Sequence, residues 1–475
     1  MPATDPTFFD FDPTDGQTFN ETQINDVSTL RFIGDVSYAL NDNWTFRGIG
    51  TYEDTTRDRV IGDLEDLSIF DDNGVNNDRT RTTSGEIRLE YDYDRWSGLF
   101  GAYYFEDDQD FEFNFFTDLA SQVFFPIDPL DSVISGDLTT FSETQNFAFF
   151  AKTRFELNDK WTFDFGIRYD NEEFDTTGTT VGAPVVTPAT CTASVPGALL
   201  GAPVPAVDLP CQQVVALVAP PSDNPPQSAS FDAILPRGAV TYNVNEDLSV
   251  FFGAQRGYRA GGSFIQAVGD GDIIVGTFDP EFLTNYEVGF RSQWLDRRLT
   301  VNGNVFLSFL RDQQVLIPGP SGNFLDSEIV NAGESTIFGA ELVTDFQVTE
   351  ELNLFGSLGL LNAEFDDFPF ATPGSPFDNL AGNELPQAPS VSFTVGASYN
   401  HRSGFFGDAS LNFTGPSESG LENLDEDDLL PGVTERIDGR AVVNGRIGYR
   451  AERFTLYGFV TNLFDDNAPL FFNPA

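Results

Sequence analysis

Polar and apolar side chains alternate with a period of two along much of this chain. In residues 28–40 the even positions carry large apolar side chains, namely Leu30, Phe32, Val36, Tyr38 and Leu40. The odd positions carry Thr29, Arg31, Asp35 and Ser37. The same alternation resumes after residues 41–43, with Trp44, Phe46 and Tyr52 on one side. Successive side chains of a strand point to opposite faces, so this pattern predicts a hairpin with one apolar and one polar face.

Tight turns between such segments recur along the whole chain. We place them at Asn41-Asp42-Asn43, Asp94-Arg95, Asn158-Asp159-Lys160, Asn245-Glu246-Asp247, Asp296-Arg297, Thr349-Glu350, Arg402-Ser403-Gly404 and Ala451-Glu452-Arg453. Each turn joins two alternating segments, which gives about eight hairpins and about 16 strands.

Long polar segments alternate strictly with the tight turns. They cover residues 57–83, 107–143, 175–230, 260–282, 316–334, 366–390 and 415–440. Loops this long are unusual in a compact soluble domain, whereas bacterial outer-membrane barrels have short periplasmic turns and long extracellular loops. The pattern therefore predicts an all-β fold, a transmembrane antiparallel β-barrel in the outer membrane. A surface β-sandwich or solenoid that binds other proteins is the alternative, but it does not explain the strict alternation.

Aromatic residues at the strand ends agree with a barrel, since aromatic girdles mark both membrane interfaces. The residues in question are Trp44, Tyr52, Trp96, Trp161, Tyr169, Trp294, Phe405 and Phe454.

Charge limits the partners. The chain has 74 acidic and 25 basic residues and a net charge of −49, so we expect it not to bind nucleic acid. No run of apolar residues is long enough for a spanning helix. The first residues lack the basic and apolar regions of a secretory signal.

Six segments resemble the barrel of TonB-dependent receptors. They are residues 142–173, 256–264 (RGYRAGGSF), 278–315, 331–343, 383–399 and 444–467. The residues of two of these motifs that we single out are Gly257, Tyr258, Arg259, Gly261, Gly262, Asn462 and Leu463. Each motif alone is weak, but their order along the chain follows that of the family.

This resemblance implies energised uptake of a scarce nutrient, such as a siderophore–iron complex, cobalamin or a glycan. The partners it implies are outer-membrane lipid, the small-molecule nutrient and, through a TonB box and plug, the TonB complex of the inner membrane. Family members have 22 strands, so residues 1–475 are expected to be a fragment of a larger barrel that lacks the plug domain. The alternative is a passive diffusion porin, because general porins have 16 to 18 strands.

Catalytic chemistry finds little support in the sequence. The only histidine, His401, falls in a predicted tight turn, so no Ser-His-Asp triad can be assembled. We expect no enzymatic activity, no cofactor and no metal site.

Two other groups of residues have predicted roles. Cys191 and Cys211 lie in the long loop 175–230, where an oxidising compartment favours a disulfide. Arginines at polar positions are expected to face the barrel lumen, pairing with Asp35, Glu53, Glu90, Asp164 and Glu287 on neighbouring strands. These arginines are Arg31, Arg47, Arg88, Arg168 and Arg291.

Overall fold

The computed structural model describes residues 24–61, 71–118, 133–182, 192–194, 208–210, 222–267, 273–317, 328–368, 379–421 and 436–466. No helix within these ranges is long and apolar enough to cross a membrane. The strands are Ile24–Asn41 (β1), Trp44–Ile61 (β2), Asp71–Asp92 (β3), Trp96–Asp118 (β4), Val133–Asn158 (β5), Trp161–Gly182 (β6), Thr192–Ser194 (β7), Asp208–Pro210 (β8), Ser222–Asn245 (β9), Leu248–Arg259 (β10), Gly262–Ala267 (β11), Ile273–Phe278 (β12), Glu281–Trp294 (β13), Leu299–Ile317 (β14), Glu328–Gln347 (β15), Leu352–Asp367 (β16), Val391–Asn400 (β17), Phe405–Thr414 (β18), Ser417–Glu418 (β19), Arg436–Ile437 (β20), Arg440–Arg450 (β21) and Thr455–Val460 (β22).

Sixteen of these strands form one antiparallel sheet in which neighbours follow chain order from β1 to β22. The pairs β7–β8, β11–β12 and β19–β20 are separate two-stranded ladders. All eight predicted tight turns join paired strands of the large sheet, so the prediction of about 16 strands in eight hairpins is confirmed. In the part of the chain that the structure describes, no ladder joins β1 to β22.

Asparagine side chains shape three of the tight turns. The Asn41 Oδ1 accepts hydrogen bonds from the backbone N–H groups of Asn43 (2.9 Å) and Trp44 (3.0 Å). The Asn158 Oδ1 does the same for Lys160 and Trp161, and the Asn245 Oδ1 accepts one from Asp247. These Asx turns replace backbone bonds that a two-residue reversal leaves unmade, which explains why asparagine recurs at the end of β1, β5 and β9.

Several long loops are shorter than the sequence predicted, because the strands continue through them. Strands β2 and β3 pair as far as Ile61 and Gly74, and β4 and β5 pair as far as Asp118 and Val133. The predicted loop 175–230 likewise begins and ends as strand, in β6 and β9. Most of these extensions are polar on both faces, so they lack the alternation that identifies a strand; the exception is β4, with Phe111, Phe113 and Phe115. Backbone pairing continues the ladder throughout.

The register gives the sheet two distinct faces. One, which we call the polar face, carries Arg47, Arg168 and Arg291; the other, the apolar face, carries Phe46, Phe165 and Val288. Phe165 and Val288 are 53% and 58% exposed, as are many other large apolar side chains of that face. An apolar surface this extensive requires a nonaqueous environment or a partner.

Aromatic residues border the apolar face in two rows, which we call the tryptophan ring and the tyrosine ring because they would encircle a barrel. All four tryptophans lie next to tight turns, and a tyrosine follows eight positions farther along each strand: Trp44 and Tyr52, Trp96 and Tyr104, Trp161 and Tyr169, and Trp294 and Tyr286. Eight residues span about 27 Å along a strand, or about 20 Å in height at a tilt of about 40°. That separation is close to the apolar band of outer-membrane barrels, about 25 Å.

Phenylalanines on the polar face cover glycines of the adjacent strand. A Cβ added at Gly101, Gly289, Gly339, Gly396 or Gly448 would lie 2.3 to 2.6 Å from the ring of Phe150, Phe251, Phe306, Phe355 or Phe406 respectively. Each ring therefore lies flat on the neighbouring backbone, and glycine is required for this close approach.

A small buried cluster lies at the long-loop end of the sheet. It consists of Val315, Phe365, Phe368 and Leu380, of which the last three are at most 2% exposed. The rings of Phe365 and Phe368 stack at 5.1 Å between centroids. Hydrophobic packing within the protein is thus concentrated at one end of the sheet.

Candidate functional site

The polar face carries all five arginines that the sequence singled out. Cross-strand pairs align Arg31 with Glu53, Arg47 with Arg88, and Arg291 with Asn302, and the same face continues through Arg168 on β6. Together they extend from β1 to β13 on one face of the sheet.

Four of these arginines make ion pairs. The Arg31 Nε donates to the Glu53 Oε2 at 2.5 Å and Arg47 lies 3.1 Å from Glu90, both across neighbouring strands as expected. By contrast, Arg88 pairs with Glu86 and Arg168 with Asp170, each two positions away on the same strand.

Two of the expected partners differ. Asp164 pairs with Arg154, its direct cross-strand neighbour, because it lies two rows closer to the tight turn than Arg168. Arg291 is placed over the Phe251 ring at 4.9 Å, and no ion pair with Glu287 is present among the described residues. Residues i and i+2 of a strand share a face, so this spacing could have identified the Arg88–Glu86 and Arg168–Asp170 pairs from the sequence.

Arg168 is the centre of a buried polar cluster. Its Nε and Nη2 donate to both oxygens of Asp170, each at 2.6 Å, and Asp170 is 2% exposed. The guanidinium also lies over the rings of Tyr103 and Phe150, at 5.4 and 5.8 Å. This combination of a bidentate pair and two ring contacts fixes the arginine in one position.

A second layer of this cluster lies farther from the tight turns, toward the long-loop end of the sheet. Asn146, 7% exposed, donates from its Nδ2 to the Glu172 Oε2 at 3.1 Å. Burial raises the pKa of the Glu172 carboxyl, and the Asn146 hydrogen bond opposes that shift. The cluster thus extends across β5 and β6.

The RGYRAGG motif is placed against this cluster. Pairing between β9 and β10 stops at Arg237 and Gln255, although β9 continues to Ser222. Beyond that point Tyr258 lies beside Glu172 and Asp170, and burial raises the pKa of its hydroxyl. A Cβ at Gly261 would lie 2.5 Å from the ring of Phe231 on β9. The end of β10 therefore folds onto the polar face.

Other residues of the motif and its surroundings hold this position. Gly262 packs against the Phe278 ring, and the space around Gly257 is open within 4 Å. Arg259 aligns with Glu281, whose Oε2 accepts a hydrogen bond from the Gln314 backbone N–H at 2.8 Å. The Gln314 Nε2 donates to the Ala260 carbonyl at 2.7 Å.

Asn462 and Leu463 form the turn after β22. Asn462 has a φ of 50°, a left-handed conformation that asparagine tolerates. Its Oδ1 accepts a hydrogen bond from the Asp466 N–H at 3.0 Å, and its Nδ2 donates to the Asp466 carbonyl. The Leu463 N–H donates to the Val443 carbonyl at 2.9 Å. The role of this motif visible here is structural.

Three further groups of residues remain to be placed: the two cysteines, the histidine and one acidic cluster. Cys191 and Cys211 lie outside the described residues. His401 lies in the turn between β17 and β18, where its Nδ1 is 2.7 Å from the Ser403 Oγ. The carboxylates of Glu106, Asp108 and Glu143 have oxygens within 4.8 Å of one another.

Comparisons with known proteins agree with this architecture. The family described as TonB dependent receptor-like, beta-barrel matches residues 2–463. The metal-pseudopaline receptor CntO of Pseudomonas aeruginosa is 28% identical over 200 residues, which are 40% of this chain and 25% of that protein. This match thus spans about a quarter of that curated relative.

Solved structures of similar fold are larger than this chain. The ferric yersiniabactin uptake receptor FyuA of Yersinia pestis has a TM-score of 0.67 at 17% identity, covering 94% of this chain and 57% of its own. The siderophore receptor PiuA of Acinetobacter baumannii has a TM-score of 0.64 at 14% identity, covering 93% and 61%. Barrels of this family lie in the outer membrane of Gram-negative bacteria and serve transport. This chain belongs to the family of TonB-dependent receptor β-barrels.

Proposed function

We propose that this chain is the barrel wall of an outer-membrane receptor that takes up a scarce metal–chelate nutrient with energy delivered by TonB. The observation that carries the proposal is the large antiparallel sheet with one polar and one apolar face, in a chain whose residues 2–463 match this family. The names of three similar proteins point to siderophores or a metal chelate as the class of cargo: metal-pseudopaline receptor, ferric yersiniabactin uptake receptor and siderophore receptor.

The two faces would have separate roles in this arrangement. The apolar face, between the tryptophan and tyrosine rings, contacts lipid. The polar face lines an aqueous interior, where Arg31, Arg47, Arg88, Arg168 and Arg291 contact water, a plug or cargo. The tight turns are periplasmic, and the end with the RGYRAGG motif is extracellular.

Several further properties are part of the proposal. Partners are outer-membrane lipid, the nutrient and the TonB complex, whereas nucleic acid is not a partner. The chain has no catalytic role. Cys191 and Cys211 form a disulfide in the extracellular loop. Among the described residues, β1 and β22 each pair with one neighbour of the main sheet, and this favours a larger, 22-stranded barrel over a closed 16-stranded porin, because unpaired backbone groups in lipid cost several kcal/mol each.

Gene deletion in the native bacterium tests this function on the protein as the cell makes it. Cells grown with little iron should accumulate less radioactive iron from their siderophores after the reading frame is deleted, and complementation should restore uptake. Loss of TonB, or an uncoupler of the proton gradient, should abolish the same uptake. Accumulation that depends on the gene but persists without TonB would instead indicate passive diffusion and would contradict the proposal.

A further inference from the structure

The end of β10 and the hairpin β11–β12 lie across the long-loop end of the sheet. In the main sheet the β10–β13 pair stops at Arg259 and Glu281, whereas the neighbouring strands β9, β14 and β15 continue farther. Strand β12 contacts both β9 and β15, and β11 contacts β15. Strands β9 and β15 are four positions apart in the sheet, or about 19 Å. Residues 256–281, which we call the strap, therefore bridge the sheet from β9 to β15.

Two amide side chains hold the β15 side of the strap. The Gln314 Nε2 donates to the Ala260 carbonyl at 2.7 Å and to the Asp279 carbonyl at 3.1 Å. The Asn331 side chain donates to the Asp279 carbonyl and accepts from the Asp279 N–H, each at 2.7 Å. All of these donors and acceptors are uncharged, so this attachment does not depend on pH.

Tyr258 holds the β9 side of the strap against the cluster around Arg168. It lies beside Asp170 and Glu172, and its hydroxyl interacts with the Asn146 side chain. This cluster has too few hydrogen-bond donors. Arg168 donates to both oxygens of Asp170. The Asn146 Nδ2 donates to Glu172, but the Asn146 Oδ1 has no hydrogen-bond partner among the described residues. Asn146 is 7% exposed, so the shortage lies within this chain and not at a free surface.

Glu172 is the group of this cluster that can carry an additional proton. The groups that face it are Arg168 and Asp170 on its own strand, Asn146 on β5, Phe231 on β9 and Tyr258 on β10. The two arginines of the strap are placed toward β13, where Arg256 lies over the Phe282 ring at 4.1 Å and Arg259 aligns with Glu281. Among the described residues Glu172 makes no ion pair, because Arg168 is bound to Asp170. Burial raises the pKa of the Glu172 carboxyl, and the charge of Asp170 adds to this rise.

We propose that the strap is a pH-sensitive device, which stays docked on the polar face while Glu172 carries a proton and is released when Glu172 ionises. The proton removes the repulsion between Glu172 and Asp170 and adds the donor that the cluster lacks. Ionisation leaves two carboxylates beside Tyr258 with one guanidinium between them. The inference rests on the proposed function only in placing the strap at the extracellular mouth of the barrel.

The direction of the pH dependence follows from the raised pKa. Docking buries Glu172 and therefore favours its protonated form. Its contribution to docking is fully present below the ordinary pKa of glutamate, about 4.3, and is lost as the pH rises through the raised pKa of the docked state. The strap should accordingly be held in acid and released at higher pH.

Limited proteolysis of the full receptor, extracted from outer membranes in detergent, measures release of the strap. The protease is one that is active at both about pH 5 and about pH 8, on either side of the expected transition. Mass spectrometry quantifies the cuts between residues 256 and 262, relative to cuts in a free peptide of the same sequence at the same pH. Cleavage follows the population of the released form. Wild type should be cut about tenfold faster at the higher pH, the effect expected when a buried hydrogen-bonded group changes its charge.

Two neighbouring glutamates provide the variant and its matched control. Glu172→Gln keeps the shape of the protonated carboxyl and donates permanently, so its strap should be cut about tenfold more slowly than wild type at about pH 8 and equally at about pH 5. Glu173→Gln removes an exposed charge on the opposite face of β6 and should follow wild type at both pH values. Misfolding would make cleavage faster, so slower cleavage of Glu172→Gln cannot come from damage. Tyr258→Ala, which lacks the anchor, should be cut rapidly at both pH values.

Equal cleavage of wild type at the two pH values would overturn the proposal. So would a Glu172→Gln strap as sensitive to pH as that of wild type, or equal protection by Glu173→Gln, which would indicate a general effect of charge. The digestion requires no transport. Failure of the proposed function would therefore remove siderophore uptake and leave the digestion pattern unchanged, whereas failure of the strap proposal would leave TonB-dependent uptake intact.

Discussion

The two faces of the sheet are built from the same strands but by different rules. On the apolar face, adjacent residues are interchangeable as long as they are apolar, and its limits are the tryptophan and tyrosine rings eight residues apart. On the polar face, many residues depend on a specific neighbour: a ring covers a glycine, or an acid holds an arginine. The apolar face therefore needs only side chains that suit an apolar environment, whereas the polar face needs specific contacts between side chains.

A charge on the apolar face should have the largest effect. Val288→Arg places a cation on the apolar face between Tyr286 and Trp294, in place of a side chain that is 58% exposed. We expect a loss of about 2–3 kcal/mol in the free energy of unfolding, because the cost of arginine on a lipid-facing strand position is about 2–4 kcal/mol at the bilayer midplane and falls toward the interfaces. Urea titration of the receptor in lipid vesicles measures it.

The adjacent residue provides the control for that prediction. Glu287 lies on the polar face, so Glu287→Arg introduces the same side chain one position away. This variant should change the free energy of unfolding by less than about 1 kcal/mol, as for a substitution at a hydrated position. Equal losses at 287 and 288 would show that the two faces do not differ in environment.

Overfilling a covered glycine should have a somewhat smaller effect. The Cβ of Gly339→Ala would lie 2.3 Å from the Phe306 ring and 2.9 Å from the Leu360 carbonyl oxygen. We expect a loss of about 1–3 kcal/mol from this overpacking. Gly34→Ala, where the space within 4 Å is empty, is the matched control. Replacing Phe306 by leucine in the same chain should recover part of the loss in urea titration, and no recovery would contradict the ring contact as its cause.

Removing the buried ion pair tests the second kind of contact. Arg168→Gln leaves the Asp170 carboxylate, 2% exposed, without its bidentate donor. We expect a loss of about 1–3 kcal/mol in urea titration, the penalty for a buried group whose partner is removed. Arg154→Gln breaks a more exposed pair and should cost at most about 1 kcal/mol. Similar losses for both variants would mean that burial of Asp170 has no energetic weight.

Alternation and turn residues were sufficient to predict the hairpins. Asparagine at positions 41, 158 and 245 marks turns that its own side chain closes. The extent of β2 and β3 was not predictable, since residues 54–59 and 71–74 are polar on both faces and leave no period to detect. By contrast, Phe111, Phe113 and Phe115 alternate and could have shown that β4 continues. The strands of the main sheet were therefore identified correctly, but not their length beyond the membrane.

Prediction of the polar face was less complete. Alternation placed Arg31 and Arg168 on one face, but the partner of each arginine depends on the register. A sequence cannot show that Asp164 aligns with Arg154, or that Gly166 separates Lys152 from Arg237, until strands β5, β6 and β9 are paired. The contact of Tyr258 with the cluster around Arg168 depends further on where β10 leaves β9.

Cysteine accessibility along β13 tests the central claim most directly, namely that one face contacts lipid and the other lines water. In a receptor without Cys191 and Cys211, single cysteines replace residues 285 to 288 and residue 290 in turn, and intact cells are treated with a small water-soluble maleimide. The account predicts labelling at positions 285 and 287 and protection at 286, 288 and 290. Uniform labelling along the strand, or the reverse alternation, would contradict it.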